Sequence, residues 1–276
     1  MLKREEVHVI AFDTFEPMPG GAPYRLLDRH PDGIHLVMQA KEHRAGRSAV
    51  WETGSRQIVW KPDRAIALAW LRNGTQIGVL QETSNGSYEF ALYTWPEKQL
   101  LHYCPVSPPP GWGWMLDLVI SPQNDLALCH WIDQSEAGFE FIDITPQGVS
   151  HDAQAGYFLK GTNDVTRAAF SPNGQFWVFG YKTYEIWWAP DPEDSDTYDQ
   201  PARGGDYTIG ALMAFRGKKP LDRTVPLIAT LPAGWLPADP DAEDVLYIGD
   251  PIFLDEQHVQ VHLPSGEIQV HQLSVE

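Results

Sequence analysis

Short apolar runs separated by turn-forming residues recur along the chain, and the clearest example lies between residues 165 and 190. Residues 176–179 and 185–188 are rich in aromatic and β-branched side chains, and each run is too short to form a stable helix. The Ser-Pro-Asn-Gly sequence at residues 171–174 precedes them, and such a sequence favours a tight reversal of the chain. This pattern predicts consecutive antiparallel strands whose two faces are both covered.

The same kind of four-residue turn recurs through the chain, beginning at residues 30, 71, 121 and 171, with a weaker copy at residue 254. The intervals between them are 41, 50, 50 and 83 residues. A period of about 40 to 50 residues with several short strands per repeat is typical of a β-propeller. The last interval is too long for one repeat, so it predicts an insertion or a further blade.

The third strand of the first unit ends in the hexapeptide Ala-Val-Trp-Glu-Thr-Gly at residues 49–54, which resembles the end of the third strand in WD40 repeats. At the matching place the other units carry Tyr93-Thr94, Ile142-Asp143 and Trp187-Trp188. The Gly-His dipeptide that the family places before its first strand is absent. The resemblance implies a degenerate WD40-like propeller that binds other proteins on one face of its ring.

We therefore expect a single all-β domain over residues 1–276, most simply a propeller of five four-stranded blades. A sixth blade inside the longest interval is the alternative. The last unit shows only three strands, so we expect the apolar run at residues 7–12 to complete it and close the ring. The expected blades lie at about residues 22–62, 64–106, 112–160, 164–232 with an insertion at about 191–219, and 244–276.

The chain of 276 residues has a net charge of −17, which repels phosphate backbones and anionic membrane surfaces. Nucleic acid and membrane are therefore not expected as partners. No apolar run is long enough to cross a bilayer, and the acidic amino terminus is unlike a signal peptide. Cys104 and Cys129 lack metal or redox spacing; the sequence leaves a disulfide between them open and favours buried free thiols in the cytoplasm.

Motifs for catalysis are missing from the sequence, which has no nucleophile elbow, phosphate-binding loop or zinc-protease helix motif, so we expect no catalytic residue. Two loops repeat the spacing Asp-x-Asp-x-x-Asp, which offers closely spaced oxygens to a hard cation such as calcium. In so acidic a chain, chance repetition on solvated loops is the favoured interpretation, and no cofactor is expected. The carboxylates of these loops are Asp194, Asp196 and Asp199, and Asp239, Asp241 and Asp244.

Two other residue types are candidates for a site. His258 and His262 lie on one face of a strand, and pairing with the next strand could bring His258 near His271. Among the eleven tryptophans, those next to Gly or Pro in connecting segments are the best candidates for exposed ligand contacts. These possible contact residues are Trp112, Trp114 and Trp235.

Two functions remain open at this level. The first is a non-catalytic scaffold for a protein partner. The acidic segment at residues 191–206 would favour a partner with a basic surface. The second is a carbohydrate-active or carbohydrate-binding propeller, glycosidase-like or lectin-like, which needs tryptophans and carboxylates brought together at the channel mouth. The scaffold hypothesis rests mainly on analogy with other proteins of this fold.

Overall fold

The computed structural model describes residues 24–40, 48–107, 113–133, 136–160, 165–182, 205–221, 224–231, 248–263 and 266–273. Within these ranges the regular elements are β-strands and none is an α-helix, so the all-β prediction is confirmed. A membrane-spanning helix is accordingly not found in this part of the chain. The strands are β1 Tyr24–Arg29, β2 His35–Ala40, β3 Ser48–Glu52, β4 Gln57–Trp60, β5 Ala65–Trp70, β6 Gln76–Glu82, β7 Tyr88–Thr94, β8 Leu100–Val106, β9 Trp114–Ile120, β10 Leu126–Ile132, β11 Glu136–Thr145, β12 Gly148–His151, β13 Tyr157–Lys160, β14 Ala169–Phe170, β15 Phe176–Lys182, β16 Gly205–Arg216, β17 Lys219–Pro220, β18 Val225–Leu231, β19 Ile252–Phe253, β20 His258–His262 and β21 Ile268–Gln272.

These strands form five separate sheets that follow one another along the chain. The first two sheets have the simple orders β1-β2-β3-β4 and β5-β6-β7-β8, and the fifth has the order β19-β20-β21. The strand pairs whose register is defined are antiparallel, and in these three sheets each strand pairs with its neighbour in sequence. Contacts between sequence neighbours therefore account for these three sheets.

The third and fourth sheets share a variation at one edge, where two strands pair with different parts of the same neighbouring strand. The long strand β11 pairs with β12 through residues 142–145 and with β13 through residues 136–139. Likewise, β16 pairs with β17 at its end and with β18 over most of its length. The fourth position of the third sheet is thus divided between two strands, β12 and β13.

The chain divides into two compact units, Met1–Tyr103 and Cys104–Glu276. In the second unit, the fourth sheet shows why its strands are apolar on both faces. Trp177 and Phe179 of β15 pack with Phe139 of the third sheet, whereas Val178, between them in sequence, belongs to the core cluster that includes Val259 of the fifth. Because successive side chains of a strand point to opposite faces, this strand is buried from both sides.

The aligned turns have a common backbone structure, which confirms their alignment. In each of the first four, the amide of the first residue bonds to the carbonyl of the residue five positions later, and the amide of the fourth residue bonds back to the first. The fourth residue has positive φ and is Gly33, Gly74, Asn124 or Gly174. The final turn is one residue shorter, because the Leu254 amide bonds to the His258 carbonyl four positions later.

Several predicted features lie outside the described residues. These are the closing strand at residues 7–12, the apolar run at residues 185–188 and the acidic half of the insertion. The second half of the expected insertion belongs to β16, the strand beside β15 in the fourth sheet. The ring closure and the number of blades stay predictions.

Candidate functional site

The first turn, between β1 and β2, holds an aspartate between two histidines: His30-Pro31-Asp32-Gly33-Ile34-His35. Asp32 Oδ1 accepts hydrogen bonds from the amides of Ile34, at 2.7 Å, and His35, at 3.1 Å. Aspartate side chains commonly stabilise turns in this way. The result is a carboxylate fixed by backbone donors through one oxygen, with its other oxygen, Oδ2, left to face the imidazoles.

Both imidazoles approach the same oxygen. His35 Nδ1 lies 2.7 Å from Asp32 Oδ2, and His30 Nδ1 lies 2.9 Å from it. One ligand atom from each of the three side chains lies within 4.8 Å of the others. Glu52 Oε1, at the end of β3, is 4.0 Å from His35 Nε2 and adds a second carboxylate nearby. We call His30, Asp32 and His35 the histidine–aspartate cluster.

The orientation of His30 is set by the neighbouring turn. Its Nε2 lies 2.7 Å from the carbonyl oxygen of Gly74, and because a carbonyl only accepts hydrogen bonds, Nε2 carries the proton. The amide of Asp32 is 3.1 Å from His30 Nδ1 and donates to its lone pair. A Cβ at position 74 would lie 2.6 Å from His30 Nε2, so this approach requires glycine. The second turn therefore shapes the cluster in the first.

An aromatic layer supports the cluster on one side. The His30 ring meets Trp70 edge-on with centroids 4.6 Å apart, and the His35 ring meets Trp95 at 5.2 Å. Trp70 and Trp95 also contact each other, at 4.9 Å, and both are buried. Packing of this kind restricts the rotamers of both histidines and keeps water away from one face of each ring.

The surroundings of Asp32 favour the ionised form of its carboxyl group over the protonated form. Burial by itself raises the pKa of Asp32, but hydrogen bonds from the Ile34 amide, the His35 imidazole and amide, and His30 outweigh it and hold that pKa well below its usual range. Asp32 is therefore an anion at all physiological pH values.

The last turn carries a simpler version of this arrangement. Asp255 Oδ1 accepts from the amides of Gln257 and His258, and His258 Nδ1 lies 2.7 Å from Asp255 Oδ2. The Gln257 amide, followed by the imidazole and amide of His258, lowers the pKa of Asp255. The residue that opens this turn is Leu254 where the first turn has His30, so only one imidazole faces this carboxylate.

A different set of charged groups is buried in the second unit. Arg167 Nε lies 2.7 Å from Asp117 Oδ2, and the Arg167 backbone amide donates to Asp250. His151 Nε2 lies 2.8 Å from Glu140 Oε2, and both side chains are under one tenth exposed. Each buried carboxylate thus has a nitrogen partner, which is the usual requirement for burying charge.

Both cysteines are free and buried, as the sequence predicts. Burial raises the pKa of the Cys129 thiol, and Cys104, Glu140 and Asp117 raise it further. A protonated, inaccessible thiol is a poor nucleophile, so Cys129 has the properties of a core residue.

Of the predicted contact residues, the structure describes Trp114 alone. Its side chain is 52% exposed at the start of β9, opposite Ile132 of β10. Trp112, Trp235 and both acidic loops, with Asp194, Asp196 and Asp199 in one and Asp239, Asp241 and Asp244 in the other, lie outside the described residues. The predictions for them stay predictions.

The approach of His258 to His271, which the sequence left possible, does not occur, because the register differs by one residue from the one that would pair them. His258 lies opposite Gln272, and His271 lies opposite Val259. His271 therefore lies on the face of the fifth sheet opposite to the one that bears His258 and His262. Burial lowers the pKa of His271, as expected for an imidazole on the core side.

Sequence reasoning treated residues 30–33 as a turn and missed them as a cluster of metal-ligating side chains. The pattern that could have identified them is a histidine two residues before the turn aspartate and another three residues after it. The bond from His30 to Gly74, 44 residues away, has no local pattern and needed the tertiary structure.

Comparison with known proteins adds information on the fold. No protein-family model matches the sequence, and no curated protein matches it. Among solved structures, hydrazine synthase from Kuenenia stuttgartiensis is similar with a TM-score of 0.55 and 12% identity over 91% of this chain. The match covers 65% of that chain, so this chain spans less than two thirds of it. A functionally unknown protein from Desulfotomaculum acetoxidans DSM 771 has a TM-score of 0.45 and 15% identity, with 93% of this chain and 73% of that chain covered. The likeness to hydrazine synthase concerns the fold alone.

Proposed function

We propose that the chain is a degenerate WD40-like β-propeller, with its five sheets as blades, and that it acts as a non-catalytic scaffold for a protein partner. Two kinds of contact support the propeller. Equivalent turns of consecutive sheets bond to each other within each unit: His30 to Gly74 in the first, and Gln123 to Asn173 in the second. The stacking of the fourth sheet between the third and fifth is also the arrangement that blades require.

In this proposal the run at residues 7–12 pairs with β21, the edge strand of the three-stranded fifth sheet. An unpaired edge with apolar side chains is a liability that natural sheets cover. Ile268 and Val270 of β21 are each 53% exposed, which supports an additional strand at this edge.

The electrostatics support a binding role over catalysis. Among the described residues, the carboxyl groups with clearly shifted pKa values are those of Asp32, Asp152 and Asp255, and each of these pKa values is lowered. A general acid needs a raised carboxyl pKa, whereas these groups serve as fixed anions. The buried free thiols support a reducing compartment such as the cytoplasm.

Exposed Trp114 is the observation that carries the binding proposal. It lies at the end of the third sheet where its strand partner Ile132 is followed by Asp133, whose Oδ1 accepts the Glu136 amide at 2.8 Å. An exposed indole face suits an arginine or lysine side chain. The net charge of −17 would further attract a basic partner surface.

The test is affinity purification from the native cell at low salt with three baits: the wild type, Trp114→Ala and Phe158→Ala. Phe158 is a matched control, because it is an aromatic side chain of the same sheet that is 46% exposed. We expect a basic protein to co-elute with the wild type and the control and to be lost with Trp114→Ala. The proposal is wrong if no protein co-elutes, or if the Trp114→Ala bait retains the same proteins.

The exposure of Trp114 also favours the second candidate, a carbohydrate-binding propeller, because an indole face stacks on a sugar ring. Screening the same three proteins on an array of immobilised glycans distinguishes the two. Glycan binding that disappears with Trp114→Ala and persists with Phe158→Ala would replace the scaffold proposal with the carbohydrate one.

A further inference from the structure

We propose that the histidine–aspartate cluster binds one divalent transition-metal ion through His30 Nδ1, Asp32 Oδ2 and an imidazole nitrogen of His35. Two imidazoles and a carboxylate are a donor set typical of zinc and its neighbours cobalt and nickel. The proposal is independent of the partner that the propeller binds.

The spacing of the ligand atoms suits such an ion. Metal–nitrogen bonds of about 2.0–2.1 Å in a tetrahedral site place ligand atoms roughly 3.4 Å apart. Asp32 Oδ2 is 2.9 Å from His30 Nδ1 and 2.7 Å from His35 Nδ1. Lengthening these two separations to about 3.4 Å would admit the ion, and the His35 side chain is partly exposed.

The surroundings of the ligands are those of a metal site. Metal-binding histidines usually donate their second nitrogen to a backbone carbonyl, which fixes the ring and its tautomer, and His30 makes this bond to Gly74. A ligating carboxylate is in turn held by hydrogen bonds, and Asp32 Oδ1 accepts two backbone amides. Trp70 and Trp95 supply the apolar side.

The charge at the cluster also suits a cation. Asp32 is anionic, and its Oδ2 lies 2.9 Å from His30 Nδ1 and 2.7 Å from His35 Nδ1. A metal ion would neutralise the carboxylate and bind the Nδ1 lone pair of His30 in place of the Asp32 amide, which is 3.1 Å away.

The experiment is a titration of the metal-free full-length protein with Co²⁺, followed by displacement with Zn²⁺. Binding is read from the visible absorption of tetrahedral Co²⁺ and from quenching of tryptophan fluorescence, since Trp70 and Trp95 contact the ligand histidines. We expect one Co²⁺ per chain, displaced by Zn²⁺, with 10- to 100-fold or greater loss of affinity in His30→Gln and His35→Gln.

The matched control is His258→Gln, which removes the histidine of the single-imidazole turn. This variant should bind Co²⁺ as the wild type does. Absence of both absorption and quenching at millimolar Co²⁺ would overturn the proposal. Equal binding by His30→Gln or His35→Gln and the wild type would overturn it too, since the ion would then lie elsewhere.

A second measurement needs no substitution and applies even if the variants fail to fold. Diethyl pyrocarbonate modifies accessible imidazoles, and mass spectrometry locates the modification. Zn²⁺ should protect the peptide with His30 and His35 in the wild type and leave the reaction of His258 unchanged. Equal modification of the first peptide with and without Zn²⁺ contradicts the proposal.

Discussion

Asp32 and Asp117 are both paired with nitrogen groups, but they lie in opposite surroundings. Asp32 is 32% exposed on a turn and its neighbours are two imidazoles, whereas Asp117 is 7% exposed inside a sheet and faces the Arg167 guanidinium. Removing one member of a buried ion pair leaves the other charge without compensation, so the pair is part of the fold. A partly exposed carboxylate that faces imidazoles is accessible to a ligand from solution. The same residue type, aspartate, thus has a structural role where it is buried, at Asp117, and is available for binding where it is partly exposed, at Asp32.

The largest effect is expected from breaking the buried pair. Arg167→Met leaves the Asp117 carboxylate without its cation and should reduce the free energy of unfolding of the second unit by about 3–5 kcal/mol. Urea unfolding monitored by tryptophan fluorescence measures this. The double variant Asp117→Leu/Arg167→Met should be more stable than Arg167→Met alone, because no unpaired charge remains. If the single variant is as stable as the wild type, the pair has no structural role.

An intermediate effect is expected from the glycine that lets His30 approach the second turn. Gly74→Ala places a Cβ 2.6 Å from His30 Nε2 at a φ of +69°, and we expect a loss of about 2 kcal/mol. Gly33→Ala is the matched control, since its φ is +71° and open space surrounds it. It should lose only about 1 kcal/mol in the same urea experiment. Equal losses would mean that the contact with His30 contributes no strain.

The smallest effect is expected at Lys218, which is partly exposed and bonds to both Asp143 and Asp152. Burial lowers the pKa of Lys218, but bonds to Asp143 and Asp152 outweigh it and raise that pKa, while the bond to Lys218 lowers the pKa of Asp152. Lys218→Met should therefore cost under about 1 kcal/mol at neutral pH. The Asp152 contribution is present above the ordinary pKa of 3.8 and is lost as the pH falls through the lowered value.

The Lys218 contribution has the opposite sign: it is present below the ordinary pKa of 10.5 and is lost as the pH rises through the raised value. Melting temperatures of Lys218→Met and the wild type should thus differ between these limits and converge at both ends. Lys219→Met, which changes the exposed lysine next in sequence, is the control and should follow the wild type throughout. A difference independent of pH would exclude the charge pair as its cause.

The strands and turns could be predicted from the sequence because they depend on the chemistry of adjacent residues. Ser171-Pro172-Asn173-Gly174 marks a turn because proline restricts φ and glycine accepts positive φ, and neither property depends on distant residues. The possible pairing of His258 with His271 does not occur, because it depends on strand register and not on local chemistry. A one-residue difference in register between β20 and β21 places His271 on the other face, and local pattern does not determine register in a strand with mixed polarity.

By itself, the sequence determined the all-β class, the order of the sheets and the positions of the turns, because strand preference and turn geometry are properties of a few adjacent residues. The tertiary structure decided which charges are buried, which imidazoles share a carboxylate and which glycine leaves room for a side chain from another turn. Two of the contacts behind these features join residues more than 40 positions apart, His30 with Gly74 and Asp117 with Arg167. Contacts of that kind arise only when the sheets pack.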